Sequence, residues 1–261
     1  MKAPLTMNDL FDLSGRTALV TGGSKGLGKA MARGFAAAGA DVFISSRHEN
    51  ELKAALKEIT AGTKVRSGYC VADLAKRKEC DRLAKAALDA LGRVDILVNN
   101  AGSNVPQSID QIKDEDWDRI LELNFSSCMA MCRALVPQMK ERRWGRIIHI
   151  SSIMALGSKE QRHAYSGTKA ALIGMCRAMA IELGPYNITV NCINPGPFLT
   201  DLPGTLLSDA EKKTFADRTA LGRWADPKEL AGPALLLASD AGSYITGTTL
   251  VVDGGTLCKT F

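Results

Sequence analysis

Tyr165 and Lys169 are the pair on which chemistry is most readily built. They lie four apart in Tyr165-Ser166-Gly167-Thr168-Lys169, within residues 162–183, where Ala164, Ala171, Leu172, Met175 and Met179 recur at helical spacing. Side chains four apart share a helix face, so the phenol and the ammonium are expected to face the same space. A nearby ammonium favours a phenolate, and a phenol so placed can give a proton to an alkoxide or take one from an alcohol near neutral pH. A surface tyrosine beside a surface lysine has the same spacing, so the elements that position the pair must decide.

Those elements begin with an apolar run, Thr17–Thr21, followed at once by Gly22-Gly23-Ser24-Lys25-Gly26-Leu27-Gly28 and then a helical pattern through Ala30, Met31, Phe35 and Ala38. Strand, glycine turn and helix together form the context of a phosphate cradle. The backbone can approach a pyrophosphate there, and the first helical turn aims free N–H groups at it. Residues 23–29 also satisfy the G-x-x-x-x-G-K of a P-loop, but Ala30 stands where a magnesium-binding hydroxyl is needed, which argues against an ATPase or GTPase. A second strand, residues 41–45, runs into Ser46, Arg47 and His48. In a dinucleotide fold this strand end meets the adenosine ribose, where an acid would bind a free 2′-hydroxyl. Arginine instead forks onto a phosphate, serine can donate to it, and Lys25 offers a second positive charge, so NADP is expected in preference to NAD.

Strand and helix patterns then alternate to the C-terminus. Helices are expected over 49–59, 76–91, 114–142 (bent near Pro137) and from Asp226-Pro227, with further strands at 65–71, 95–99, 146–150, 188–193 and 249–253. Asn124 interrupts the apolar pattern of the 114–142 helix and reads locally as an exposed amide. His149 and His163 read as ordinary strand and loop residues. Seven strands separated by helices imply an α/β fold: a Rossmann-type, doubly wound parallel sheet forming a single domain over 1–261. Residues 198–223, where the pattern weakens, are expected to act as a substrate lid. The glycine turn, Asn99 to Gly102, Ser151-Ser152 and Asn194-Pro195-Gly196 all fall just past strand C-termini, where open α/β sheets bind ligands.

Composition narrows the classes. At 261 residues, 46% hydrophobic and 23% charged, with a net charge of +5, the chain reads as an ordinary globular protein. Lys76-Arg77-Lys78 and Arg142-Arg143 are too short to be a nucleic-acid footprint. No apolar run is long enough for a membrane span, and residues 1–13 lack a signal-peptide core, so a cytoplasmic location is expected. The seven cysteines form no C-x-x-C pair. Cys128 and Cys132 are helically spaced without a further ligand nearby, so no metal site is expected.

Thr21-Gly22-x-x-x-Gly26-x-Gly28, Asn99-Asn100-Ala101-Gly102, Asn124, Ser152, Tyr165-x-x-x-Lys169, Pro195-Gly196 and Asp253-Gly254-Gly255, in this order, resemble the short-chain dehydrogenase/reductase family. The resemblance spans residues 13–255. It implies a catalytic set of Asn124, Ser152, Tyr165 and Lys169, with Asn124 holding a water that links Lys169 to solvent. It also implies nucleotide contacts from Gly22, Ser24, Gly26, Leu27, Gly28, Ala101, Gly102, Pro195 and Gly196, with Asp73 by the adenine, Asn99 by the ribose and Thr200 by the nicotinamide amide. Lys169 would also hold the nicotinamide ribose beside Tyr165. No metal is implied, and a homotetramer is. Residues 7–15 and Gly222-Arg223-Trp224 look like gluconate 5-dehydrogenases, while the core motifs are equally similar to bacterial 3-oxoacyl-carrier-protein reductases. The expected substrate is a small carbonyl or alcohol: a keto sugar acid or polyol, or else a 3-oxoacyl thioester. The loop Ser103-Asn104-Val105-Pro106 has no basic residue for a carboxylate, leaving Lys159 and Arg162 as candidates. A nucleotide-sensing protein that kept the fold without turnover is the alternative from another class, against which the complete Ser152, Tyr165 and Lys169 set argues.

Overall fold

A computed structural model describes residues 6–200 and 208–259. Among these, seven strands form one parallel sheet. They are β1 Thr17–Thr21, β2 Asp41–Ser46, β3 Ser67–Val71, β4 Ile96–Asn99, β5 Gly145–Ile150, β6 Ile188–Pro195 and β7 Thr249–Val252, in the order β3-β2-β1-β4-β5-β6-β7. The helices are α1 Met7–Phe11, α2 Gly26–Ala37, α3 Glu49–Thr60, α4 Arg77–Leu91, α5 Asp114–Leu121, α6 Ser127–Arg142, α7 His163–Leu183, α8 Asp209–Asp217 and α9 Ala231–Ala238.

Central strands are apolar throughout because both faces are covered. The two-residue strand period sends Leu19, Leu97, Ile147 and Val190 to the side covered by α4, α6 and α7. Ala18, Val20, Ile44, Val98 and Ile148 face the side covered by α2, α3 and α9. Phe35 of α2 is wholly buried there, and its truncation to alanine would cost about 3–5 kcal/mol. Val20 pairs with Ile44 on one side and Val98 on the other, so β1 is where the winding reverses and a crevice opens at the strand C-termini. At the opposite end, the buried Asp95 carboxylate accepts from Thr17 N at 3.0 Å and from the Arg93 and Arg142 guanidinium groups, pinning β1 to β4 away from that crevice.

The expected 114–142 helix is corrected. A π-helical segment, Glu122–Ser126, separates α5 from α6, and the α-helix runs through Pro137 to Arg142. The irregularity therefore lies at Asn124. A π turn holds an extra residue, which shifts the side-chain register and carries Asn124 out of the wet face into the interior, where it is fully buried. Strand β6 extends two residues beyond the expected 188–193 because Asn194 and Pro195 pair with Val251 and Val252. Of the expected lid, residues 201–207 lie outside the described residues. The rest includes α8 and a bridge from Phe198 to Ala225. No helix among the described residues is long and apolar enough to cross a membrane.

Candidate active site

The glycine turn is held from β4. Asn100 donates from Nδ2 to the carbonyls of Thr21 (2.8 Å) and Gly22 (3.1 Å), while Thr21 Oγ1 accepts from the backbone N–H groups of Asn100 (2.9 Å) and Ala101 (3.0 Å). Gly28 packs so tightly that a Cβ on it would stand 2.3 Å from Gly22 O and 2.5 Å from Asn100 Nδ2. Gly26 has φ +50 and faces Thr200, whose Cγ2 would lie 3.1 Å from a Cβ there. The N-cap of α2, Lys25, makes no side-chain capping bond, so its first-turn N–H groups gain no cap from that residue. Leu27 is half-buried and Ser24 buried beside it. This cradle fits a pyrophosphate: close backbone approach and unspent amide donors at a helix N-terminus.

At the end of β2, Ser46 is half-buried and Arg47 exposed. Lys25 is corrected as a source of free positive charge. Its Nζ lies 2.7 Å from Glu51 Oε1, and that hydrogen bond holds the Glu51 carboxyl below the usual range. Glu51 reaches it from the first turn of α3, which starts directly after His48. Asp73, just past β3, is half-buried, and its Oδ1 accepts from Ala75 N at 3.3 Å in an Asx turn.

The Asn99 side chain is buried, with Nδ2 3.2 Å from His149 Nδ1 and 3.6 Å from Cys132 Sγ. An amide nitrogen can only donate, which makes His149 Nδ1 the acceptor and leaves the ring proton on Nε2. Burial, and then the nearby Lys169 charge, lower the His149 pKa to about 4. The other flanking histidine, His163, is exposed and opens α7 instead of lying in the loop before it.

Two side chains converge on Gly102. A Cβ there would lie 3.2 Å from Asn124 Oδ1 and 3.4 Å from Lys169 Nζ. Asn124 Nδ2 donates to Ser103 O (2.9 Å) and Thr168 Oγ1 (3.2 Å), and Oδ1 accepts from Ser103 N (2.9 Å). Its amide thus ties the loop after β4 to α7. Lys169 is buried in α7, donates from Nζ to Ile150 O at 2.7 Å and lies 5.7 Å from the Tyr165 ring centroid. Thr168 Oγ1 donates back to Tyr165 O at 2.8 Å.

Ser152 follows β5. Its Oγ accepts from Met154 N at 3.1 Å, which leaves the hydroxyl hydrogen available to donate. Asn194 of β6 donates to Ser152 O at 2.7 Å and fixes that backbone. Gly196 passes so close to Asp253 that a Cβ would meet its Cα at 2.6 Å. Ser152 and Tyr165 line one cavity of about 340 Å³, together with Pro195, Gly196, Lys159 and Phe215. Arg162 sits at the N-cap of α7 and is not part of that lining. Asn100, Thr21, Ser103, Thr168 and Asn194 support these groups but were not singled out from sequence. Each stood inside a stretch quoted above, without an assigned contact.

Residues 22–256 match the family model described as enoyl-(acyl carrier protein) reductase. The 3-oxoacyl-[acyl-carrier-protein] reductase of Chlamydia muridarum is 36% identical over 249 residues, covering 95% of this chain and 99% of its own length. L-rhamnose 1-dehydrogenase (NADP(+)) of Thermoplasma acidophilum is 37% identical over 252 residues, covering 95% and 98%. A provisionally named NAD(P)-dependent gluconate 5-dehydrogenase of Beutenbergia cavernae, solved with NADP bound at low occupancy, superposes with a TM-score of 0.90. It is 36% identical to this chain, with 96% of this chain and 100% of that one covered.

Proposed function

We propose a function from one premise: the chain belongs to the short-chain dehydrogenase/reductase family. It is an oxidoreductase acting on CH–OH groups and their carbonyls, with NADP as cofactor. When bound, NADP supplies or takes the hydride at its nicotinamide. The chain's own residues do the rest. Ser152 O–H donates to the substrate oxygen, where negative charge grows during reduction. Tyr165 gives its hydroxyl proton to that oxygen and, in oxidation, takes it back. The Lys169 ammonium, buried beside the ring, favours the charge left on the Tyr165 oxygen. Asn124 acts as a positioning residue that holds the loop carrying Ala101, Gly102 and Ser103. The glycine turn binds the pyrophosphate, and Arg47 with Ser46 favours the 2′-phosphate.

One observation carries the reading: Ser152 and Tyr165 share a cavity, with the Lys169 ammonium 5.7 Å from the phenol ring. The proposed substrate is a keto sugar acid or polyol, a reading supported by the sugar-acid and rhamnose relatives. A 3-oxoacyl thioester is the second reading, favoured by the Chlamydia relative. The test is a panel of carbonyls and alcohols, including 5-keto-D-gluconate and an acetoacetyl thioester, assayed with NADPH and NADH. Cofactor binding without turnover on any member would return the chain to the sensor class. The homotetramer carried by the resemblance is measured by sedimentation.

A further inference from the structure

The cavity that holds Ser152 and Tyr165 has a second end of different character. Its outer wall is formed by Phe215 of α8, Trp224, Leu257 and two cations, Lys159 and Arg218. Phe215 and Trp224 pack edge to face with centroids 5.4 Å apart, and the Trp224 indole is anchored by donating to Lys212 O at 2.8 Å. This makes a fixed aromatic surface. Lys159 Nζ lies 5.3 Å from the Phe215 ring centroid. Arg218 lines the same cavity from the turn that ends α8, where its backbone N–H donates to Phe215 O at 3.2 Å. The two cations therefore line one cavity although they come from different segments of the chain.

Among the described residues, no Asp or Glu lines this cavity. Two acids of α8 are paired with lysines of the same helix: Asp217 with Lys213 at 2.7 Å and Asp209 with Lys212 at 3.8 Å. Glu160, next to Lys159, is exposed and outside the lining. Two cations lining one cavity give it a charge complementary to an anion. A guanidinium matches a carboxylate through paired N–H donors, and an ammonium adds a point charge.

We infer that Lys159 and Arg218 form the recognition site for a carboxylate at the end of the substrate remote from the reacting carbon. The substrate class is then a small hydroxylated keto acid, with its carbonyl at Ser152 and Tyr165 and its carboxylate at the aromatic wall. A cavity of about 340 Å³ lies at the small end of ligand sites and suits such a molecule. A thioester would present its nearest phosphates well beyond the carbonyl. The inference rests on the oxidoreductase reading for the position of the carbonyl, but the anion site is measurable by binding alone.

The test is calorimetric titration of the full chain, saturated with NADP, using D-gluconate and its neutral counterpart D-glucitol. The wild type is expected to prefer the acid. Lys159→Met and Arg218→Met are each expected to cut the acid-to-polyol affinity ratio by about tenfold, with Lys159→Arg restoring most of it. An unchanged ratio in both methionine variants, or no preference in the wild type, overturns the inference. Gluconate binding with this charge dependence, but no turnover of any carbonyl, would sink the oxidoreductase reading and leave the anion site standing. Reduction of a neutral ketone with a charge-insensitive ratio would do the reverse. If the same variants raise the KM for acetoacetyl-CoA as much as that for 5-keto-D-gluconate, the cations serve a phosphate and the keto-acid class is overturned.

Discussion

Asn124 and Ser103 exchange a reciprocal pair of hydrogen bonds, each 2.9 Å long: Ser103 N donates to Asn124 Oδ1, and Asn124 Nδ2 donates to Ser103 O. A side chain on the π turn thus pairs with loop backbone as a neighbouring strand would. The pair holds the segment after β4 against α7 and keeps Gly102 within reach of the Lys169 ammonium.

Removing that amide leaves the Ser103 N–H and C=O without their partner in a part-buried setting. Asn124→Ala is expected to cost about 2–4 kcal/mol, from unpaired polar groups plus a small cavity. Urea denaturation measures it. Asn124→Asp is expected to be no milder, because it sets a second acceptor against Ser103 O. A loss below about 0.5 kcal/mol for the alanine variant would mean that the pair is not holding the loop.

Tyr165→Phe removes one oxygen and leaves the ring beside Lys169. Turnover is expected to fall by about 10²–10⁴-fold or more, the range of a lost proton donor, while the dissociation constant for NADPH changes little. Fluorescence titration and steady-state rates separate the two. Near-normal turnover in this variant would remove Tyr165 from the chemistry.

Charges around the end of β2 are expected to set cofactor preference in opposite directions. Arg47→Ala should weaken NADPH binding by about 10–100-fold and spare NADH. Glu51→Gln should strengthen NADPH binding, because it releases Lys25 from its 2.7 Å ion pair and removes a negative charge near the adenosine end. Equal responses of both cofactors to either change would place the 2′-phosphate elsewhere.

The buried His149 makes stability depend on pH in a defined window. Its folded-state pKa is about 4, whereas an unfolded histidine titrates near about 6.5. Below about 6.5 the unfolded chain binds a proton that the folded chain refuses, so stability falls as pH drops and the effect levels off near about 4. The loss amounts to about 3 kcal/mol at most. His149→Asn is expected to flatten the pH profile of the denaturation midpoint between these values relative to wild type. Parallel profiles would show that His149 titrates alike in both states.

Local patterns announced the scaffold. Strand runs, glycine stops and the four-residue spacing of Tyr165 and Lys169 depend on neighbours in the chain, so the seven-stranded parallel sheet and the shared face of that pair could be read from residue types. Ser152 and Gly196 followed because strand C-termini in such a sheet collect on one side. Asn99 and Asn100 mark the limit. They are adjacent and chemically identical, yet one is buried against His149 and Cys132 while the other braces the glycine turn. Strand alternation says that they point to opposite sides, but not what waits on each.

Lys25 reads as a free cation until α3 brings Glu51 to it, and Asn124 reads as a wet-face amide until a π turn rotates it inward. Lys159 and Arg218 share no pattern in the chain, and only packing around Phe215 brings them to one cavity. The sequence by itself determined the parallel sheet and the common helix face of Tyr165 and Lys169, because helical and strand periods are short-range properties. Tertiary structure alone decided which charges are compensated and which line the cavity of Ser152 and Tyr165, because those pairings join segments that periodicity cannot relate.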